Sequence, residues 1–259
     1  MVNSRIEEIA LDFSARESAR EDEFSNIWRN KLDAAFTELA TSYDLASDLA
    51  SLGLCRKWRT RFISGISVKP GDRVLDVCAG TNGVGIGLLQ KQVDISVFAI
   101  DRNRAMQEVG KDLARTRGLR IESVIGDAHQ LPFSDNSFDI VTLQWASRHL
   151  RIVDLCLEIN RVLKPGGYFY HCDMLRPEGK LVQAIYSAYL KVCVSITALV
   201  FRCSPEARGC QDYFIRAVQM FHSSEELTKL LVETGFFGVC SRTEAGGIVA
   251  CHKATKRMA

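Results

Sequence analysis

The sequence lacks an excess of either charge and contains few prolines. Lys and Arg number 33 against 31 for Asp and Glu, hydrophobic residues make up 47%, and only 5 of the 259 residues are proline. A near-neutral balance gives no general case for binding nucleic acid. The composition excludes wholesale disorder and a collagen-like repeat. We expect one large domain, or one domain with a modest appendage, whose core can hold a small-molecule pocket.

Metal-binding and secretion signals are also missing. The nine cysteines include no C-x-x-C pair, and their odd number and irregular spacing argue against a disulfide framework. No ligand pair has the spacing of a zinc finger. The first residues, MVNSRIEEIALDF, lack an apolar run of signal-peptide length. These features predict a cytoplasmic protein with reduced thiols and no metal site.

One long apolar run is present at 181–201, and Lys191 is its only charged residue. It matches the ~20 residues that a membrane-spanning helix needs. The central lysine and several polar side chains argue against spanning. We expect one or two buried helices here, with a lid that meets a lipid-like substrate or a membrane surface as the alternative.

Two segments near the N-terminus carry many charges. Residues 1–24 hold seven acids and three arginines, which predicts a solvated arm, helical or frayed. Helical periodicity continues from Trp28 to Leu39. Residues 51–70 hold five basic residues and no acid. Such a run is typical of a solvated face, and the alternative is a face towards an anionic membrane.

From residue 73 onward, short apolar segments alternate with amphipathic ones. This alternation predicts an α/β fold whose parallel sheet is covered by helices on both faces. Ser223 and Glu226 have the spacing of a capping box. The predicted strands are 73–78, 95–101, 119–125, 138–143, 168–172, 236–242 and 247–252, and the predicted helices are 84–91, 103–117, 151–163 and 223–234.

Ligands of an open parallel sheet bind beyond the carboxyl ends of its strands. There the first strand presents the glycine-rich turn 79–83, the second Asp101, the third Asp127 with Ala128, and the fourth Gln144. A carboxylate in the position of Asp101 can accept both hydrogen bonds of a ribose diol. The alternatives are a helix cap for Asp101 and a turn for Asp127.

The glycine turn does not match the dinucleotide fingerprint. From Gly80 it reads G-T-N-G-V-G-I-G rather than G-x-G-x-x-G. This disfavours a nicotinamide oxidoreductase. A cationic sulfonium ligand, in contrast, needs no phosphate-binding cradle.

Several motifs together resemble the class I S-adenosylmethionine-dependent methyltransferases. The resemblance implies a doubly wound, mostly parallel seven-stranded sheet of Rossmann-like type, with S-adenosylmethionine as cofactor. The matching segments are Val74–Thr81, Asp101, Gly126–Ala128, Leu131–Asp139 and Arg161–Gly167. The implied cofactor-binding residues are Asp76, Gly80, Thr81, Asp101, Arg102, Asp127, Ala128 and Gln144.

The flanking segments are similar to the ubiquinone and menaquinone biosynthesis C-methyltransferases, over roughly 40–257. This narrower resemblance implies methyl transfer to a ring carbon of a polyprenyl benzoquinol or naphthoquinol. It places Arg148 at the ring hydroxyl; His149 is a candidate proton acceptor and Tyr43 completes the network. Structural roles for these three are a salt bridge, a helix cap and packing. The matching segments are Tyr43-Asp44, Ser51–Leu54, Arg56–Arg59, Ser147–His149 and Gly246–His252.

The chain departs from the family pattern at Asn82 and His149, which replace a glycine and an amide. Asn82 can adopt a left-handed backbone, so we expect cofactor binding to survive. The acceptor could instead be another aromatic or lipid molecule, or the protein could be a cofactor-binding scaffold of a quinone-synthesis assembly. We expect 1–66 to form a helical arm and substrate cap, and 67–259 the catalytic domain with a lid insertion at 178–222. Peripheral membrane contact and oligomerisation are both compatible with the sequence.

Overall fold

The structure is a computed structural model that describes residues 2–202, 204–205 and 210–258, with side chains from residue 13 onward except 29, 30 and 211. Four helices precede the sheet. The first is helical, as predicted, but it is not solvated throughout the part whose side chains the structure describes. Phe13, Arg20 and Phe24 are buried, because an aromatic stripe with Trp28 faces the rest of the molecule. The four helices are α1 (Val2–Asn30), α2 (Leu32–Leu39), α3 (Tyr43–Ala50) and α4 (Leu54–Gly65).

The sheet has seven strands in the order β3-β2-β1-β4-β5-β7-β6, which confirms the predicted fold class. All neighbouring pairs are parallel except those of β7, which runs antiparallel to β5 and to β6. The central strands carry continuous apolar runs because both sheet faces are covered. The strands are β1 (Arg73–Val77), β2 (Ser96–Asp101), β3 (Glu122–Ile125), β4 (Phe138–Gln144), β5 (Leu163–Met174), β6 (Phe236–Glu244) and β7 (Val249–Lys256).

Four helices lie close to their predicted bounds. They are α5 (Gly83–Lys91), α6 (Arg104–Arg115), α7 (Ile152–Val162) and α10 (Ser224–Glu233). Two further helices lie between β5 and α10, namely α8 (Lys180–Val200) and α9 (Gln211–Gln219), and the sequence did not predict α9. The capping box at the start of α10 is confirmed, with hydrogen bonds in both directions between Ser223 and Glu226. Strand β5 extends two residues beyond its predicted end, because its pairing with β7 continues through Asp173 and Met174.

The apolar run at 181–201 forms the single long helix α8. Tyr186, Cys193 and Ala198 are buried, whereas Leu181 and Leu199 are 74% and 75% exposed. The prediction of one or two buried helices is therefore wrong for the outer face of α8. Among the described residues, α8 alone is long and apolar enough to cross a membrane, by length and composition only.

Candidate functional site

A cleft of about 120 Å³ lies at the carboxyl ends of β1, β2 and β4, below α2. Its floor is the glycine turn after β1, where Cys78, Gly80 and Asn82 have the positive φ angles 54°, 53° and 60°. The left-handed conformation that the sequence suggested for Asn82 is thus present. Gly110 of α6 allows the turn to pack closely, because a Cβ there would lie 2.8 Å from the Thr81 carbonyl carbon.

Asp101, at the end of β2, fastens this turn to the neighbouring strand. Its Oδ2 accepts a hydrogen bond from Gly80 N at 2.8 Å, and its Oδ1 accepts one from Asn103 N at 2.8 Å. Burial raises the pKa of Asp101 despite these bonds. Each carboxylate oxygen has two lone pairs, so Asp101 retains acceptor sites for a ligand in the cleft.

Four other predicted cofactor residues line the same cleft, and Arg102 is one of them. Thr81 donates its hydroxyl to Asp44 Oδ2 at 3.1 Å. Asp76 is buried under the turn, where burial raises its pKa to about 7 even though Thr142 donates a hydrogen bond. The amide nitrogen of Gln144 is buried and has no hydrogen-bond partner among the described residues. An unpaired buried donor of this kind suits a ligand that brings an acceptor.

Asp127 and Ala128 line an adjoining cavity of about 240 Å³, which also contacts Asp101 and Arg102. The Asp127 side chain is 68% exposed and accepts hydrogen bonds from the backbone and ring of His129. Burial alone would raise the pKa of Asp127, but these bonds outweigh it and the pKa is lowered. The structure therefore brings the predicted residues of three successive strand ends into one continuous depression.

A second cavity, of about 200 Å³, lies between α2, α3 and α8 and is lined mostly by apolar side chains. Phe36, Tyr43 and Trp145 border both this cavity and the cleft, so they form a partition between the two. Burial raises the pKa of Tyr43, which keeps its hydroxyl protonated. We call this space the acceptor cavity.

Arg148 supplies the cation that lines the described part of the acceptor cavity. Its guanidinium pairs with the fully buried Asp173 and donates to the Trp145 carbonyl at 3.1 Å. Burial alone would lower the pKa of Arg148, but Asp173 raises it. Asp173 in turn accepts the Ser147 hydroxyl at 2.6 Å, and Ser147 contacts His171 at 2.8 Å.

His149 follows Arg148 but faces elsewhere. It lines the cleft and the Asp127 cavity, not the acceptor cavity. Its Nδ1 lies 2.5 Å from the Tyr213 hydroxyl, and its buried Nε2 has no partner among the described residues. Burial, together with the charges of Arg148 and Arg20, holds its pKa well below the usual range. His149 is therefore a neutral imidazole at physiological pH.

Sequence reasoning missed two functional candidates. Arg59, assigned to a solvated face, lies in the cleft against the glycine turn and donates to Asp44 Oδ1 at 2.8 Å. A Cβ on Gly83 would come within 2.7 Å of its Nη1. Asp173 also escaped notice, because the predicted strand ended one residue before it. The rule that selected Asp101, an acid at a strand end, would have found it.

Comparisons with known proteins identify the family. The sequence profile of the ubiE/COQ5 methyltransferase family matches residues 25–256. A demethylmenaquinone methyltransferase of Beutenbergia cavernae is 35% identical over 222 residues, which are 85% of this chain and 89% of the relative. The ubiquinone/menaquinone biosynthesis C-methyltransferase UbiE of Ectopseudomonas mendocina is 32% identical over 234 residues, 87% of this chain and 89% of the relative.

Solved structures agree on the fold. A phosphoethanolamine N-methyltransferase of Haemonchus contortus, solved with S-adenosylhomocysteine, superposes with a TM-score of 0.60 at 15% identity, covering 78% of this chain and 53% of that one. A SAM-dependent methyltransferase of Aquifex aeolicus gives a TM-score of 0.53 at 20% identity, covering 77% and 88%. With its profile match and its close relatives, this chain belongs to the ubiE/COQ5 methyltransferase family.

Proposed function

We propose that this chain transfers a methyl group from S-adenosylmethionine to a ring carbon of a polyprenyl quinol. The observation that carries this function is the pairing of a cleft lined by several Asp and Arg side chains with a cavity lined, among the described residues, by one such side chain, Arg148, across the partition of Phe36, Tyr43 and Trp145. A methyl group has to pass between two ligands that differ in polarity, and the partition is where they would meet. The names of the relatives support a quinol as the acceptor.

The polar groups of the cleft and of the adjoining cavity fit S-adenosylmethionine. Asp101 would hold the ribose diol, Asp127 and Ala128 the adenine, and Gly80 and Thr81 the methionine portion. The guanidinium of Arg59 suits the methionine carboxylate, and the unpaired amide of Gln144 offers a further donor nearby. Arg102 and Asp76 complete the walls. When bound, the sulfonium supplies an electrophilic methyl group.

The residues of the acceptor cavity account for activation of the ring. A quinol carbon becomes nucleophilic when the neighbouring hydroxyl loses its proton. The permanent cation of Arg148, fixed by Asp173, would lower the pKa of that hydroxyl and hold the oxyanion. Tyr43 borders the acceptor cavity and keeps its own proton, so it would orient the quinol hydroxyl by a hydrogen bond. His149 lines the cleft rather than the acceptor cavity, and its lowered pKa makes it a weak base, so this geometry gives no support to the prediction that it accepts the proton.

The prenyl tail would lie along α8. The inner face of this helix lines the cavity, and Tyr189 ties it to α3 by donating to the Ala50 carbonyl at 2.9 Å. In this view the helices within 1–66 are the substrate cap, and the insertion at 178–222 is the lid.

The outer face of α8 suits contact with a membrane. Ile185, Val192 and Ile196 are exposed on one side of the helix, and Leu45 and Leu52 are exposed on or next to α3. The basic helix α4 packs beside α3, and its Arg56, Arg59 and Arg61 form ion pairs. We infer a cytoplasmic protein that binds the inner membrane face peripherally, where its quinol would be dissolved.

The direct test is product analysis. The protein is incubated with methyl-labelled S-adenosylmethionine and a reduced quinol, either a benzoquinol or a naphthoquinol, each with and without a prenyl tail. We expect one labelled methyl group on a ring carbon of one ring class. The Arg148→Met variant should bind cofactor normally but form little product. Cofactor binding without product from any quinol would contradict the function and favour a scaffold.

A further inference from the structure

The short turn Ser147–His149 carries two residues of the proposed site, yet it packs beside a distant part of the chain. Arg148 points to the acceptor cavity and His149 to the cleft. The fully buried Arg20 of α1 contacts this turn. Its Nη2 donates to the carbonyl of Arg148 at 2.9 Å and to that of Leu150 at 3.2 Å.

Glu17, one helical turn before Arg20, completes the contact. Its Oε1 pairs with the Arg20 guanidinium, and its Oε2 accepts a hydrogen bond from Ile152 N at 2.7 Å. Ile152 begins α7, so the carboxylate caps this helix on the far side of the turn. Glu17 and Arg20 therefore hold the backbone from 148 to 152 at three points.

Two aromatic rings pack against the Arg20 side chain, and its buried Nε has no hydrogen-bond partner among the described residues. The guanidinium lies 4.8 Å from the ring centroid of Phe221 and 5.5 Å from that of Trp28. Burying a guanidinium costs free energy unless its charge is paired and its donors are used. An apolar residue would fill the same space at lower cost, so stability alone gives a weak reason for an arginine here.

The family profile begins at residue 25, after both residues. The contacts of Glu17 and Arg20 with residues 148–152 are thus made by a segment that precedes the matched region. Farther along the same helix, Glu21, Ser25 and Trp28 line the cavity beside Asp127. The helix therefore contacts the site at two places.

We propose that Arg20, with Glu17, is a positioning residue for methyl transfer, and that this N-terminal helix is part of the catalytic unit. The inference rests on the proposed function. Arg20 contacts neither ligand; it fixes the backbone that aims Arg148 and His149. A small misplacement of such groups can reduce turnover on the order of 10²-fold.

The test compares Arg20→Met with Arg16→Met. Arg16 lies one turn away on the same helix and pairs with Glu226 at 2.6 Å, away from the turn. We expect Arg20→Met to lower kcat by about 10- to 100-fold, with smaller changes in the KM for quinol and in the affinity for S-adenosylmethionine. Arg20→Lys should restore part of kcat, because the lysine ammonium can donate to one of the two carbonyl groups, whereas the arginine guanidinium donates to both. Arg16→Met should keep kcat close to that of the unmodified chain.

A second measurement keeps the inference independent of turnover. The ring ¹⁵N signals of His149 should shift in Arg20→Lys, which keeps the charge that acts on His149 but loses one of the two carbonyl contacts, and should stay unchanged in Arg16→Met. If the unmodified chain methylates no quinol, the proposed function fails, and these signals still decide the positioning role. Equal losses of kcat in Arg20→Met and Arg16→Met, or an unshifted His149 signal in a folded Arg20→Lys protein, would overturn it.

Discussion

At the scale of single residues, Asp101 shows how one carboxylate can organise a site and still bind a ligand. Its oxygens already accept two backbone N–H groups, one of them from the glycine turn. Replacing it with alanine removes the ribose acceptor and also loosens the turn. We predict that Asp101→Ala weakens S-adenosylmethionine binding by about 1–3 kcal/mol, as measured by calorimetry.

Asp127→Ala is the comparison for this prediction. Because the Asp127 side chain is 68% exposed and bonded to His129, its loss should cost less binding free energy than the loss of Asp101. An unchanged affinity in Asp101→Ala would remove Asp101 from the cofactor site.

Asp76 gives a prediction about pH. Burial raises its folded-state pKa to about 7, above its unfolded value of 3.8. The folded state therefore binds the proton more tightly, and the stability this contributes at acidic pH is lost as pH rises from about 4 to 7. The loss is up to about 4 kcal/mol for a shift of this size. An asparagine at position 76 does not titrate, so Asp76→Asn removes this loss of stability. The unfolding free energy of Asp76→Asn, relative to that of the unmodified apo protein, should therefore rise from about pH 4 to 7.

Denaturant unfolding of the apo proteins at pH 4, 6 and 8 measures this difference. Asp112→Asn, at an exposed position, is the control substitution. A constant difference between Asp76→Asn and the unmodified protein at all three pH values would show that Asp76 titrates normally.

At the scale of elements, α8 offers two valines with different neighbours. Val194 lines the acceptor cavity, whereas Val192 is 58% exposed on the outer face. We predict that Val194→Asn raises the KM for long-tailed quinols more than for tail-less ones, because apolar burial stabilises a tail by roughly 0.8 kcal/mol per methylene. Val192→Asn, assayed in detergent, should change neither value. Equal effects of Val194→Asn on both quinols would contradict a tail groove while leaving methyl transfer intact.

The strand ends of the first half of the sheet could be predicted from sequence, because their residues are local signals. Apolar runs predicted β1, β2 and β4, and the residues at the carboxyl ends of these strands line the cleft. The length of β5 could not be predicted, since it depends on pairing with β7, a segment about 80 residues later. The sequence also could not tell which face of α8 is buried and which is exposed. The helix is apolar on almost every side, and only its packing shows which side is covered.

At the scale of the whole molecule, Arg20 marks the limit of sequence reasoning. A charged residue in an acidic, helical segment predicts a solvated position. Its burial depends on two carbonyl groups about 130 residues away and on aromatic rings from different elements. Arg59 was missed for the same reason, since its partner Asp44 and its place over the glycine turn are set by the packing of the cap helices.

The partition also has a kinetic consequence. Among the described residues, only Phe36, Tyr43 and Trp145 line both the cleft and the acceptor cavity, so the two ligands would occupy separate spaces. We predict a random order of substrate addition. S-adenosylmethionine and the quinol should then each bind the free enzyme, and calorimetry with each ligand alone would measure this. An obligatory order would mean that one ligand builds the binding site of the other. The spent cofactor could then leave the cleft and be replaced while the quinol remains bound in the acceptor cavity.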